Sequence, residues 1–374
     1  MDIQSFQAPR RLLMGPGPSD VPERVRAAMA QPTVGHLDPA FIRLMDEIKV
    51  MLQASLQTSN ALTLPLSAPG SAGMEAALAN LLERGDKVVV CINGVFGQRM
   101  LANVQRMGCE AVVVECPWGQ PVDPEAVEAA LRVHPDTRVL AFVHAETSTG
   151  AVSDAAALCR LAREHGCLSV MDAVTSWAGM PLMVDQWGVD AVYSGTQKCL
   201  SCVPGLSPIS FSPRAQERIL SRATAVQSWF LDMQLVMGYW QAGEQRVYHH
   251  TAPINALYAL HESLVMLHEE GLEQAWARHQ TQHERLRDGL EAAGFEFAVA
   301  PAHRLPMLNA VRIPEGVDDL AVRQRLLQEH GLEIGAGLGP MKGKIWRIGL
   351  MGASCRADYV DLCVELLRKY GAPR

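Results

Sequence analysis

Apolar positions along this chain switch between two periods. Met74, Leu78, Leu81 and Leu82 fall at i, i+4, i+7 and i+8, one face of a helix that Gly85 closes. The run Lys87–Ile92 then reads as a buried strand. The alternation continues with a helix over Gln98–Met107, a strand at Val112–Val114, a helix over Pro124–Val133 and a strand at Val139–Val143. Helix Ala155–His165 and strands Cys167–Met171 and Val189–Tyr193 follow. Short apolar strands separated by helices predict βαβ units, right-handed crossovers and a mostly parallel sheet covered on both faces.

Beyond about Gly271 the pattern changes. One long helix, Leu272–Ala293, precedes strand-like Phe295–Val299 and Leu308–Ile313. A helix near Leu320–His330 leads to strands at Leu332–Ile334 and Ile345–Leu350, and helix Ala357–Lys369 closes the chain. The expected fold is α/β: an arm over 1–17, a large domain with a mostly parallel central sheet flanked by helices over 18–270, and a smaller C-terminal α+β domain over 271–374. No flexible linker separates the last two, so a shared cleft is expected.

Charge and composition narrow the function. The 40 Asp and Glu outnumber the 33 Lys and Arg, a net charge of −7, which is the wrong balance for a nucleic-acid surface. Nine cysteines in 374 residues are too dilute for a disulfide scaffold and read as reduced thiols. The opening Met1–Phe6 carries Asp2 and no long apolar stretch, so no signal peptide is expected. No apolar run reaches the roughly 20 residues a bilayer span needs. A cytoplasmic setting with neither membrane nor nucleic acid as partner follows by elimination. Cys199 and Cys202 have knuckle spacing, but with no second pair nearby no metal is expected.

In open parallel sheets ligands bind beyond the carboxyl ends of the strands. There the sequence puts Asp172 after one strand and Ser194-Gly195-Thr196-Gln197-Lys198 after another. Glu146-Thr147-Ser148-Thr149-Gly150 and Asn93-Gly94-Val95-Phe96-Gly97 follow two more, and Pro69-Gly70-Ser71-Ala72-Gly73 opens a helix. This set matches what pyridoxal phosphate requires: a lysine for covalent attachment, an acid for the pyridine nitrogen, a stacking aromatic and free N–H groups for the phosphate. Each residue alone has a plainer reading. An Asp after a strand is often a turn residue, a loop Lys a solvated charge, and Phe96 a core residue.

Asp172-Ala173-Val174 and Ser194–Lys198 together resemble the fold-type I, class V aminotransferases of the alanine–glyoxylate and serine–pyruvate type. The resemblance extends in order through Gly15-Pro16-Gly17-Pro18, Gly35–Pro39, Asn93–Arg99, Glu146–Gly150, Tyr248–Pro253, Gly337–Pro340 and Arg347–Leu350. It implies a large PLP-dependent transferase domain and an enzyme moving an amino group from alanine or serine to glyoxylate or pyruvate by ping-pong transfer. Lys198 would hold the cofactor covalently and act as general acid and base. Asp172 would pair with the ring nitrogen, Val174 and Phe96 would flank the ring, and Thr147 would bond its hydroxyl side. Gly70, Ser71 and Gln197 would hold the phosphate. Tyr248 and Thr251 would reach the phosphate of the other subunit in a homodimer with shared sites. Arg347 would clamp the substrate carboxylate, and Gly17 would border the substrate pocket.

Two departures stand out. The turn Pro69–Ala72 lacks the Ser-Gly-His or Ser-Gly-Thr of many relatives, and Trp177 replaces a smaller residue. The alternatives are another donor on the same fold (ureidoglycine with glyoxylate, or pyridoxamine with pyruvate) and a PLP lyase or cysteine desulfurase. Desulfurases carry a His where this chain has Gln197, which counts against them.

Overall fold

The computed structural model describes residues 3–240 and 246–372. Seven strands make the central sheet: β1 (Leu62–Leu66), β2 (Lys87–Ile92), β3 (Glu110–Glu115), β4 (Thr137–Val143), β5 (Leu168–Asp172), β6 (Ala191–Tyr193) and β7 (Ser207–Phe211). Their spatial order is β1-β7-β6-β5-β4-β2-β3. The four pairings from β6 to β3 are parallel, and β7 runs antiparallel to both β6 and β1. The fold is therefore the α/β class with a mostly parallel sheet.

Burial explains the composition of these strands. Every residue of β5 and β6 is buried, as both faces of a covered parallel sheet require. The crossover helices Gly70–Leu81, Val95–Arg106, Pro124–Val133 and Ala155–Glu164 supply the cover. Asp123 caps one of them by accepting from Glu125 N–H, with Pro124 at the first helical position, and Asp154 caps the next through Ala157 N–H.

A second hydrophobic core gathers Met14, Leu286, Leu290, Phe295, Trp346 and Leu367. It rests on a three-stranded antiparallel sheet of β8 (Leu308–Arg312), β9 (Gly335–Ala336) and β10 (Ile345–Gly349), in the order β8-β10-β9. The N-terminal segment joins it, because Leu12–Leu13 pairs in parallel with Leu332–Glu333 and Gly349 N–H donates to the Met14 carbonyl at 2.7 Å. From that anchor the chain runs directly to Pro16 and Gly17, beside the lysine of the large sheet. The arm thus ties the second core to the edge of the first.

The sequence expectations need one correction. Phe295–Val299 is not a strand. Ala298 N–H donates to Ala310 O and Arg312 N–H to Glu296 O, enclosing only the single bridge Phe297–Val311. The alternation there reflects Phe295 and Val299 being buried in two different clusters, without a continued ladder. The periodicity argument also passes over two long helices, Pro39–Leu56 and Ile254–Glu270.

Candidate active site

The C-terminal ends of β5 and β6 and the N-terminus of helix Gly70–Leu81 enclose a cavity of about 220 Å³. Seven of the twelve expected residues stand in its wall: Gly70, Ser71, Phe96, Asp172, Val174, Gln197 and Lys198. Strand register brings them together. Asp172 and Tyr193 are partners in the parallel β5–β6 pair, so the loops after them emerge side by side.

Asp172 is almost wholly buried, with one carboxylate oxygen accepting from Val174 N–H at 2.8 Å and the other from the Tyr193 hydroxyl at 2.8 Å. Burial raises its pKa to about 6, against the lowering effect of those two hydrogen bonds. A cationic group in the cavity would offset that desolvation. Tyr193, fully buried and held well above its ordinary pKa by burial and by Asp172, stays a hydroxyl donor.

Lys198 shows the opposite shift. Burial lowers its pKa to about 8, and its ammonium donates to the Pro16 carbonyl. A neutral amine is therefore accessible near neutral pH, as a nucleophile or proton carrier requires. Gly17 makes this packing possible. Its φ of +100° favours glycine, and a Cβ there would lie 2.7 Å from both Cδ and Nζ of Lys198, so a larger residue would displace the lysine side chain. Gly70 is similarly confined, its virtual Cβ lying 3.1 Å from Val174 and 3.3 Å from the Ser194 carbonyl.

Arg347, on β10, is 7% exposed. Its Nε donates to the Ala336 carbonyl at 2.7 Å and one terminal nitrogen to the Thr147 carbonyl at 3.2 Å. Burial pulls its pKa down to about 10. Among the described residues no carboxylate contacts it as an ion pair, and Glu146 favours its charge only from a distance. Beside it Glu146 is fully buried, accepting from the Ser148 N–H and hydroxyl and from Phe96 N–H. Burial raises its pKa. Glu146 thus fixes both the stacking residue and the loop whose carbonyl holds Arg347.

The remaining expected residues lie outside the cavity wall. Thr147 is buried, and its hydroxyl bonds that of Thr175 at 2.8 Å. Tyr248 is 54% exposed and its hydroxyl meets only that of Thr251, at 3.2 Å. Trp177 belongs to the packing: it is fully buried and its indole N–H donates to Ser55 at 3.1 Å. The residues that sequence reasoning missed are Tyr193, Glu146 and Arg99. Glu146 and Arg99 lie within quoted motifs and Tyr193 ends a quoted strand, but only strand register, local hydrogen bonds or the cavity itself give them roles.

The cavity fits pyridoxal phosphate. It combines a depressed lysine, a buried carboxylate, an aromatic ring and a helix N-terminus whose first N–H groups have no intrahelical acceptor. The Gln197 side-chain oxygen is buried there without a hydrogen-bond partner, and its amide N–H groups are the donors a phosphate could use. These features define an enzyme site for a phosphorylated, carbonyl-bearing cofactor and a carboxylate substrate.

Comparison with known proteins agrees. The family described as Aminotransferase class-V matches residues 13–357, and this chain belongs to it. Enzymes of this family depend on pyridoxal phosphate, and this protein is an aminotransferase. It is 39% identical over 369 residues to an alanine–glyoxylate aminotransferase from Callithrix jacchus, covering 98% of this chain and 89% of the relative. Among solved structures, an alanine–glyoxylate aminotransferase from Nostoc sp. superposes with TM-score 0.96 at 46% identity, covering 99% and 97% of the two chains. A ureidoglycine–glyoxylate aminotransferase from Bacillus subtilis gives TM-score 0.95 at 36% identity, covering 98% and 94%.

Proposed function

We propose that this aminotransferase moves the amino group of alanine or serine to glyoxylate or pyruvate in two half-reactions. The observation that carries this reading is Arg347, a buried guanidinium with no carboxylate partner among the described residues, held by two carbonyls on the Lys198 side of the fold. Its charge suits the single carboxylate that small amino acids and 2-oxo acids share. Bound pyridoxal phosphate supplies an electron sink for the substrate's α-carbon. Lys198 would hold it and would take and return the proton at the substrate's α-carbon. Asp172, fixed by Tyr193 and Val174 N–H, keeps negative charge at the ring nitrogen. Phe96 and Val174 flank the ring, Gly70, Ser71 and Gln197 receive the phosphate, and Thr147 lies toward the ring hydroxyl. Gly17 borders the substrate and keeps the Lys198 side chain unobstructed.

We read the enzyme as a homodimer in which Tyr248 and Thr251 complete the partner's phosphate site. Their exposure in the single chain supports this reading. We divide the chain into 1–17, 18–270 and 271–374; the second hydrophobic cluster, Met14 with residues from Leu286 onward, supports a separate C-terminal unit, while the first also takes in Ala275, Leu305, Met307, Leu308 and Met351. Nine free thiols favour a reducing, cytoplasmic setting, and among the described residues no helix is long and apolar enough to cross a membrane.

The test is spectral titration of the loaded enzyme with alanine, serine, ureidoglycine and pyridoxamine separately, followed by glyoxylate or pyruvate. Alanine or serine should bleach the visible cofactor band, and glyoxylate or pyruvate should restore it. Conversion by ureidoglycine or pyridoxamine alone would replace the proposed donor. Ureidoglycine is the second reading, favoured by the Bacillus subtilis structure.

A further inference from the structure

We propose that Arg99 supplies the counter-charge for the cofactor phosphate, a role that the helix turn itself does not fill. The proposal rests on the reading of the cavity as the pyridoxal phosphate site. Arg99 lines that cavity from helix Val95–Arg106, next to the turn Pro69–Ser71. One of its terminal nitrogens donates to the Ser71 hydroxyl at 3.0 Å, and its guanidinium carbon stands 4.9 Å from the Phe96 ring centroid. The side chain therefore bridges the two elements expected to meet the phosphate and the ring.

The charge balance points to the same residue. A phosphate monoester carries roughly −1.5 to −2 at neutral pH, and a helix N-terminus offers only about +0.5. Gly70, Ser71 and Gln197 add hydrogen bonds without charge. Lys198 is directed to the Pro16 carbonyl, and Arg347 is held by the carbonyls of Ala336 and Thr147. The nearby carboxylates are also committed. Asp172 accepts from Val174 and Tyr193, and Glu146 from Ser148 and Phe96. Among the described residues none of them forms an ion pair with Arg99. Its charge at the cavity mouth is left for an incoming anion.

The test uses cofactor-free enzyme and compares pyridoxal phosphate with pyridoxal, which lacks the phosphate. Absorbance titrations give both affinities for the parent, Arg99→Gln and Arg99→Lys. Melting temperature with and without inorganic phosphate gives a readout independent of covalent attachment. Arg99→Gln should weaken pyridoxal phosphate roughly 10- to 100-fold and leave pyridoxal unchanged. It should also abolish stabilisation by inorganic phosphate, and Arg99→Lys should recover part of each effect. Equal losses for both ligands would assign Arg99 to the ring through Phe96 and overturn the proposal. So would an unchanged pyridoxal phosphate affinity in Arg99→Gln. A parent protein that binds neither ligand would remove the cavity reading itself, which is a different result from either of these.

Discussion

The strand-end cavity and the 246–251 segment bear the same expected task, holding one cofactor, yet they are built in opposite ways. In and beside the cavity three charged groups are fixed from behind: Asp172 by Tyr193 and Val174, Glu146 by Ser148 and Phe96, Arg347 by two carbonyls. At the segment, Tyr248 is more than half exposed and the two hydroxyls bond each other. Burial tunes the first region, shifting Lys198 to about 8 and Asp172 to about 6. In the second, neither Tyr248 nor Thr251 lines the cavity of its own chain. On the proposed reading chemistry belongs to the cavity, and the segment contributes binding to the site of a second subunit.

The comparison breaks most sharply at Lys198. Lys198→Ala should lower transfer by at least about 10⁴-fold, since it removes both the attachment point and the proton carrier. Any transfer near the parent rate, measured with alanine and glyoxylate, would move the chemistry elsewhere. The pH dependence of loading offers a finer check. The amine loses its proton near pH 8 and Asp172 near pH 6. Stopped-flow loading should therefore accelerate from pH 6 to about 8 and then level off, whereas an unshifted lysine would keep accelerating to about 10.5.

Asp172→Asn comes next, with transfer reduced on the order of 10³-fold because the neutral amide cannot hold charge at the ring nitrogen. Its stability should change the other way. The folded pKa of about 6 lies above the ordinary 3.8, so the folded protein binds the proton more tightly than the unfolded chain. Stability of the cofactor-free parent is then lost as pH rises through 6, by up to about 3 kcal/mol for this buried group. Thermal melts of the cofactor-free forms should show Asp172→Asn matching or exceeding the parent at pH 7, with that margin gone near pH 4.

This division explains what the sequence could and could not disclose. The parallel strands were legible because fully buried strands are continuous apolar runs, and the polar residues at their ends are then a list of candidate site residues. The roles of Tyr193 and Arg99 depend on which strands and helices are neighbours. Tyr193 closes an apolar run and reads as core until the β5–β6 register sets it beside Asp172. Helix Pro39–Leu56 was within reach, since Phe41, Met45, Ile48, Leu52 and Leu56 share a face behind the Asp38-Pro39 cap. The antiparallel β1–β7 edge was not, because two buried five-residue strands carry no directional signal.

Arg347→Lys should raise KM for alanine and glyoxylate roughly 10- to 100-fold with a smaller effect on kcat, because an ammonium cannot match two carboxylate oxygens together. Tyr193→Phe should be milder, about tenfold on kcat, since Asp172 keeps its Val174 N–H bond and loses only the hydroxyl. An effect of Tyr193→Phe as large as that of Asp172→Asn would make the hydroxyl itself the essential group.

The smallest expected effect tests the other side of the comparison. Tyr248→Phe and Thr251→Ala should each weaken pyridoxal phosphate about two- to tenfold, the scale of one hydrogen bond, and leave Lys198 and Asp172 titrating as before. Because neither residue lines the cavity of its own chain, the loss should depend on association. Mixing Tyr248→Phe subunits with subunits carrying Lys198→Ala separates the arrangements. If the tyrosine serves its neighbour, the competent Lys198 in the mixed pair belongs to the Tyr248→Phe subunit and is served by the intact Tyr248 across the interface, so its affinity is that of the parent. If the tyrosine serves its own chain, that site keeps the full loss.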